Sequence, residues 1–129
     1  MITDDDVKQR LHSIKHKGQV VFVIDLSKST AKEMMLLLDQ VQLEVAKHAP
    51  GSMRILANFL DAEVDKDVAT KIKKILVLDR PYVKRSAWIG TESLPHVFYE
   101  NFKNFSHREL PLFKTQAEAL EWLVEDSHE

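Results

Sequence analysis

Four side chains between residues 80 and 85 have the types and spacing best suited to binding chemistry. The stretch RPYVKRSAWIG places Arg80, Tyr82, Lys84 and Arg85 at the entrance to a predicted core strand. A guanidinium group can grip a carboxylate or a phosphate through two parallel hydrogen bonds, and a tyrosine ring can lie against a guanidinium plane. The segment therefore predicts a connector that also carries a docking surface for an anionic or acidic partner.

The acidic C-terminal region offers these cations an alternative partner within the same chain. Residues 66–85 contain seven cations and two acids, whereas residues 115–129 contain five acids and neither Lys nor Arg. The acids of the last predicted helix and its end are Glu118, Glu121, Glu125 and Asp126. Over the whole chain the formal net charge is only −2, so the total charge predicts no nucleic-acid partner.

A group of carboxylates after the second predicted core strand could suit a hard cation such as Mg²⁺ or Ca²⁺. It consists of Asp61, Glu63, Asp65 and Asp67. Acids at the start of a helix are more typical of capping, and no calcium-loop spacing follows them. His12 and His16 share one side of a predicted strand, but two imidazoles are too few for a zinc site. We therefore expect no metal ligand.

The hydroxyl groups of DLSKST are the remaining candidates for binding chemistry. Ser27, Ser29 and Thr30 follow a core strand and precede a helix, where free N–H groups can hold a phosphate. Capping is the favoured alternative, because Thr30 and Glu33 have the spacing of a capping box. The chain has no cysteine. It also shows no P-loop, dinucleotide or nucleophile-elbow pattern, so we expect no catalytic residue, no cofactor and no enzymatic activity.

Two leucines on the first long predicted helix indicate a protein-contact surface. The helix lies within STAKEMMLLLDQVQLEVAKHAPG, and its core-facing stripe consists of Ala31, Met34, Leu38, Val41 and Val45. Leu36 and Leu43 point to the opposite side, two turns apart. Stacked apolar side chains of this kind predict an interface with a protein partner or a second copy of the chain. The alternative is a loop or terminus that folds over them.

The predicted elements follow the order ββαβαβαβα and define an α/β fold. A hairpin turns at Lys17-Gly18, although residues 4–16 could instead form a helix. Alternating strands and helices predict one domain over residues 1–129, with a mixed, mostly parallel five-stranded sheet and covering helices. No apolar run approaches the roughly 18 residues needed to cross a bilayer. We therefore expect no integral membrane segment and a cytoplasmic protein.

Several blocks in this order resemble the SpoIIAA-like branch of the STAS superfamily, whose fold is related to that of CRAL-TRIO lipid-transfer proteins. They are IKHKGQVVFVIDLS, PGSMRILANFLDA, RPYVKRSAWIG, FKNFSHRELPLFKT and EALEWL. The resemblance covers nearly the whole chain and implies the fold more strongly than the function. Phosphorylatable members carry a serine at the start of one helix. This chain has Asp65, Lys66 and Asp67 there, so a phosphoserine switch is not expected.

These observations predict a non-catalytic, STAS-like binding or regulatory module that acts through protein–protein contacts. The alternative is a carrier of a small apolar or lipid-like ligand, because soft and aromatic side chains could line a cavity. The side chains that suggest this alternative are Met34, Met35, Trp88, Phe98, Phe102 and Phe105.

Overall fold

In the described part of the chain, five strands lie side by side in sequence order to form one mixed sheet. The structure is a computed structural model that describes residues 3–94, 100, 102 and 110–125. The first two strands pair antiparallel, and every later neighbour is parallel. The strands are β1 (Leu11–His16), β2 (Gln19–Asp25), β3 (Met53–Asn58), β4 (Val83–Ile89) and β5 (Leu112–Phe113). The α/β class and the mostly parallel five-stranded sheet predicted from the sequence are confirmed.

Four α-helices have bounds within the described residues. They are α1 (Asp4–Arg10), α2 (Ala31–Val45), α3 (Lys66–Leu78) and α4 (Gln116–Leu123). Each begins after a side chain that accepts a hydrogen bond from a free N–H group of the first turn. These capping residues are Thr3, Thr30, Asp65 and Thr115. The capping box expected for Thr30 and Glu33 is present in full.

The N-terminus combines the two alternatives that the sequence left open. The hairpin is present, and Lys17 and Gly18 take φ values of 52° and 80°, as a tight two-residue turn requires. The order ββαβαβαβα omitted α1, which precedes the hairpin. The helix proposed for residues 4–16 is therefore correct only up to residue 10. Thr3 and Asp6 exchange capping hydrogen bonds, which stabilise this short helix before the chain becomes a strand.

The region between β4 and α4 can be compared with its prediction only in part. The stretch SLPHVFYENFKNF, residues 93–105, predicts a helix that falls mostly outside the described residues, although Glu100 and Phe102 are helical. The stretch RELPLF predicts a short edge strand, and the observed strand is shorter still, because β5 contains only Leu112 and Phe113. The Pro111 carbonyl still accepts a hydrogen bond from the Trp88 N–H, which extends the contact with β4 by one residue.

The sheet buries a different set of side chains on each face. The large core is the face covered by α2 and α3, and it includes Phe22, Ile24, Met34, Leu37, Ile55, Val68, Ile72 and Trp88. The small core is the opposite face, covered by α4, and its buried residues are Val21, Val23, Leu56, Ala87, Ile89, Ala119, Leu120 and Leu123. Strand side chains alternate between these two faces, so β2, β3 and β4 contribute to both.

Candidate functional site

The segment from Arg80 to Arg85 distributes its side chains over different parts of the molecule. Residues 80–82 form a short 3₁₀ turn, and β4 begins at residue 83. Arg80 and Lys84 are exposed, whereas Tyr82 is half-buried and packs against the large core. Arg85 reaches α4 on the opposite face. The docking surface predicted from these four residues thus remains a prediction, and Arg85 has a partner within the chain.

Arg54 and Arg85 form an arginine clamp on the C-terminal end of α4. Arg85 Nη1 donates to the Trp122 carbonyl at 2.5 Å, and its guanidinium carbon lies 4.5 Å from the centre of the Trp122 ring. Arg54 Nε donates to the Leu123 carbonyl at 2.9 Å. The two arginines are neighbours across β3 and β4. Their like charges are acceptable side by side, because they face the negative end of a helix dipole.

For Arg85, the intramolecular partner therefore differs from the one expected. The sequence suggested the carboxylates of α4, but the acceptors are main-chain carbonyls. Arg54 was missed altogether, although a signal for it was present. It lies inside the apolar run MRILANFL, and a charge in a buried strand needs a hydrogen-bonded partner. Its exposed fraction is only 8%.

A second set of polar contacts holds α4 near its middle. Glu121 meets the β1–β2 turn through Lys17 Nζ at 2.6 Å and His16 Nε2 at 2.5 Å. The hydrogen bonds from Lys17 and His16 lower the pKa of the Glu121 carboxyl below its ordinary value of 4.5. The Glu121 side chain is 52% exposed, so solvent weakens these contacts.

The two leucines predicted to form an interface are exposed on α2. Their exposed fractions are 48% for Leu36 and 61% for Leu43. Leu36 borders an open groove of about 390 Å³ between α1 and α2, together with Thr3, Asp4, Val7, Lys8, Asp39 and Gln40. The N-terminal helix therefore lies beside Leu36 but leaves about half of it in contact with solvent.

The DLSKST turn is occupied by contacts within the chain. Arg10 Nη1 donates to the carbonyls of Asp25 and Ser27 at 3.0 and 2.9 Å, and to Ser29 Oγ at 3.1 Å. Thr30 caps α2. This arrangement agrees with the capping interpretation and adds Arg10, whose role the sequence analysis did not anticipate. The sequence pattern indicates this role of Arg10 only weakly, because the three oxygen atoms that accept its hydrogen bonds come close to it only after the hairpin has folded.

The acidic group before α3 also serves local structure. Asp65 Oδ1 accepts from the Val68 N–H at 2.8 Å and caps α3, while Glu63 Oε1 accepts from the Ala31 N–H at 2.9 Å. Residues 3–94, 100, 102 and 110–125 contain no group of three or more His, Cys, Asp or Glu side chains that could hold a metal ion. The capping interpretation is confirmed for Asp65.

A small cavity lies between the sheet and the two helices of the large core. Its volume is about 50 Å³, and its lining is mostly aliphatic and aromatic, including Trp88. Two polar residues, Asp79 and Ser86, also line it. Ser86 is 4% exposed, and its hydroxyl has no hydrogen-bond partner in the described part of the chain. Of the aromatic residues expected around a cavity, Phe98 and Phe105 lie outside the described residues.

Comparison with known proteins identifies the class of fold. A solved structure from Shewanella loihica PV-4 is similar over 88% of this chain and 91% of that chain, with a TM-score of 0.67 and 16% sequence identity. It is an uncharacterized protein of the DUF3478 family with a SpoIIAA-like fold. The protein described here therefore has a SpoIIAA-like fold, which confirms the fold implied by the resemblance.

Other comparisons add no functional relative. No family model matches the sequence, and no curated protein matches it significantly. The described helices include none that is long and apolar enough to cross a membrane.

Proposed function

We propose that the protein is a non-catalytic binding or regulatory module that acts through protein–protein contacts. The observation that carries this proposal is the pair Leu36 and Leu43, which expose 48% and 61% of their surface on one side of α2. The other side of the same helix is anchored by Met34, Leu37 and Val41 in the large core. Because α2 is held in the core, its two exposed leucines have a fixed position on the surface. We include a cytoplasmic location in the proposal because the chain contains no cysteine.

The size of this surface favours a weak or transient contact. Complete burial of a leucine contributes about 1.5–3 kcal/mol, so two leucines that are already half-buried contribute roughly 1.5–3 kcal/mol together. A dissociation constant of 1 μM corresponds to about 8 kcal/mol. The rest of the binding free energy of such a complex must come from neighbouring groups. Val7 and Lys8 of α1 are candidates, because they border the same groove as Leu36.

Regulation by phosphorylation at the start of α3 is not part of the proposal. Asp65 occupies the capping position and accepts from the Val68 N–H, so a negative charge already complements this end of the helix. Residues 59–79 contain no serine. The Thr70 hydroxyl donates to the Lys66 carbonyl within the helix at 3.0 Å.

The alternative, a carrier of a small apolar or lipid-like ligand, has less support. Pockets for such ligands measure roughly 300–1,000 Å³. The cavity beneath α2 and α3 measures about 50 Å³, which is room for a few water molecules. A carrier would need the helices of the large core to move apart.

The proposal is tested by native mass spectrometry and sedimentation over a concentration series. We expect a reversible dimer, and we expect Leu36→Lys combined with Leu43→Lys to raise its dissociation constant at least about tenfold, since two buried charges would face the partner. Val20→Lys combined with Leu112→Lys is the matched control, because these residues are 52% and 43% exposed elsewhere. A monomer at every concentration would contradict self-association, and a retained apolar adduct would favour the carrier.

A further inference from the structure

A second candidate surface lies on the outer side of α3, separate from the two leucines of α2. An open groove of about 510 Å³, here called the basic groove, is lined by Thr70, Lys73, Lys74, Val77 and Leu78. These positions recur three, four, seven and eight residues apart, so they share one side of the helix. The opposite side, which includes Val68, Ile72 and Ile75, is buried in the large core.

The floor of the basic groove contains apolar surface that no described residue covers. Val77 is 45% exposed and Leu78 is 44% exposed, although they are consecutive on the last turn of α3. Single exposed aliphatic residues are ordinary on a protein surface. Two that border one concave groove provide a place where a partner's apolar side chain can be buried.

The lysines of the basic groove carry charge that is not compensated within the described part of the chain. Lys73 and Lys74 form no ion pair there, whereas Lys71, one position from this stripe, pairs with Asp39 of α2. Lys73 and Lys74 thus leave two positive charges beside the exposed aliphatic surface. Carboxylates are the complementary groups for such a rim, because charge complementarity at an interface orients the partner and excludes basic competitors.

We propose that the basic groove binds an acidic amphipathic helix of a partner protein. The apolar side of that helix packs on Val77 and Leu78, and its flanking Asp or Glu side chains meet Lys73 and Lys74. This is the helix-in-groove mode, in which apolar anchors recur every three or four residues. The proposal extends the proposed binding function, but it uses a different helix and a partner of defined charge.

The shape of the groove distinguishes this partner from a membrane. A bilayer surface is flat and is penetrated by apolar residues that protrude, whereas Val77 and Leu78 border a concavity. Nucleic acid is also a poorer match, because the described residues that line the groove include no aromatic side chain for base stacking.

The binding test is an NMR titration of the ¹⁵N-labelled full chain with two synthetic peptides. The first is an amphipathic helix with leucines on one side flanked by glutamates, and the second replaces every glutamate with lysine. We expect the acidic peptide to shift amide resonances of residues 70–78 and to bind at least about tenfold more tightly than the basic one, with binding that weakens as salt rises. Equal binding of both peptides, or no binding, would overturn the proposal.

Variants test the location of the site. Lys73→Glu combined with Lys74→Glu should weaken binding of the acidic peptide at least about tenfold. Lys15→Glu combined with Lys114→Glu makes the same change in net charge at exposed positions elsewhere and should leave binding unchanged. Val77→Ser combined with Leu78→Ser should also weaken binding, because the apolar side of the peptide packs on these two residues, and unchanged binding would contradict that contact. The dispersion of each variant's NMR spectrum verifies that it is folded.

Two further measurements separate this proposal from its competitors and from the α2 interface. The Leu36→Lys, Leu43→Lys double variant should keep full affinity for the acidic peptide, whether or not the wild type dimerises. Loss of peptide binding in that variant would overturn the assignment to α3. Binding of the wild type to vesicles of phosphatidylserine and phosphatidylcholine, without binding to the acidic peptide, would identify a membrane surface instead.

Discussion

The large core and the small core hold their helices against the same sheet by different means. On the large-core face, α2 and α3 pack on the sheet and on each other, and most of their inward residues are aliphatic. On the small-core face, the eight-residue α4 contributes Ala119, Leu120 and Leu123. The arginine clamp and the Glu121 contacts supplement this limited apolar burial. Where the covering helix is short, polar contacts thus compensate for the smaller apolar area that the helix buries.

The first prediction compares one buried leucine from each core. Leu37 in α2 and Leu123 in α4 both have an exposed fraction of 0%. Leu37→Ala should lower the free energy of global unfolding by about 2–5 kcal/mol, because it opens a cavity between two long helices and the sheet. Leu123→Ala should lower it less and should mainly increase the rate at which α4 opens, since the exposed end of a short helix can relax into the space.

Urea unfolding and amide hydrogen exchange check this comparison. Unfolding gives the global effect of each substitution, and exchange of the α4 amides reports local opening. Equal losses of global stability in the two variants, without faster exchange of the α4 amides in Leu123→Ala, would contradict the proposed difference in how the two cores hold their helices.

The second prediction removes one side of the arginine clamp. Arg54→Met keeps an extended side chain but deletes the donor to the Leu123 carbonyl, so we expect a loss of about 1.5–3 kcal/mol, as for other hydrogen bonds from charged groups. Exchange protection of residues 119–124 should fall with it. Arg80→Met is the matched control, because Arg80 is exposed, and it should change stability by less than about 0.5 kcal/mol. Equal losses in both variants would argue against a specific clamp.

The third and smallest prediction concerns pH. The pKa of Glu121 is lowered by Lys17 and His16, so the ionised carboxylate is favoured in the folded state. This contribution is present above the ordinary pKa of 4.5 and disappears as the pH falls through the lowered pKa of the folded protein. We therefore expect the protection of the α4 amides, expressed relative to their intrinsic exchange rates at each pH, to fall as the solution is acidified below pH 4.5.

The Glu121→Gln variant isolates this effect. It should lose the part of the pH dependence that Glu121 causes, while Glu125→Gln, also on the exposed end of the chain, should keep it. NMR titration of the Glu121 carboxyl carbon measures the pKa directly. An unshifted titration would show that the contacts with Lys17 and His16 do not persist in solution.

The sequence predicts what depends on local patterns. The run VVFVI indicates the buried strand β2, and Thr30 with Glu33 indicates the start of α2. The spacing of Leu36 and Leu43 places them opposite the core stripe, and both are exposed. Periodicity and capping act over a few residues, so one sequence is enough to read them.

Contacts between distant elements were not predictable in the same way. No local pattern predicts the register of β3 and β4, and that register brings Arg54 beside Arg85. Likewise, Lys71 and Lys73 are neighbouring lysines of the same helix in the sequence, but in the structure Lys71 forms an ion pair with Asp39 on another helix. The short helix α1 was predicted only as an alternative, over residues 4–16, for a different reason. Its capping signal at Thr3 competed with a strand pattern that starts only a few residues later.

The arginine clamp has a consequence for how the C-terminal helix can change during evolution or engineering. Its acceptors are the main-chain carbonyls of residues 122 and 123, and every amino acid carries such a carbonyl. The hydrogen bonds of the clamp therefore do not depend on which side chains α4 displays to solvent, and only the contact of Arg85 with the Trp122 ring depends on a side chain of α4. A helix of the same length that keeps Glu121, Trp122 and the small and aliphatic residues at positions 119, 120 and 123 should dock equally well. The outer face of α4 is thus a site where new specificity can be introduced without rebuilding the domain.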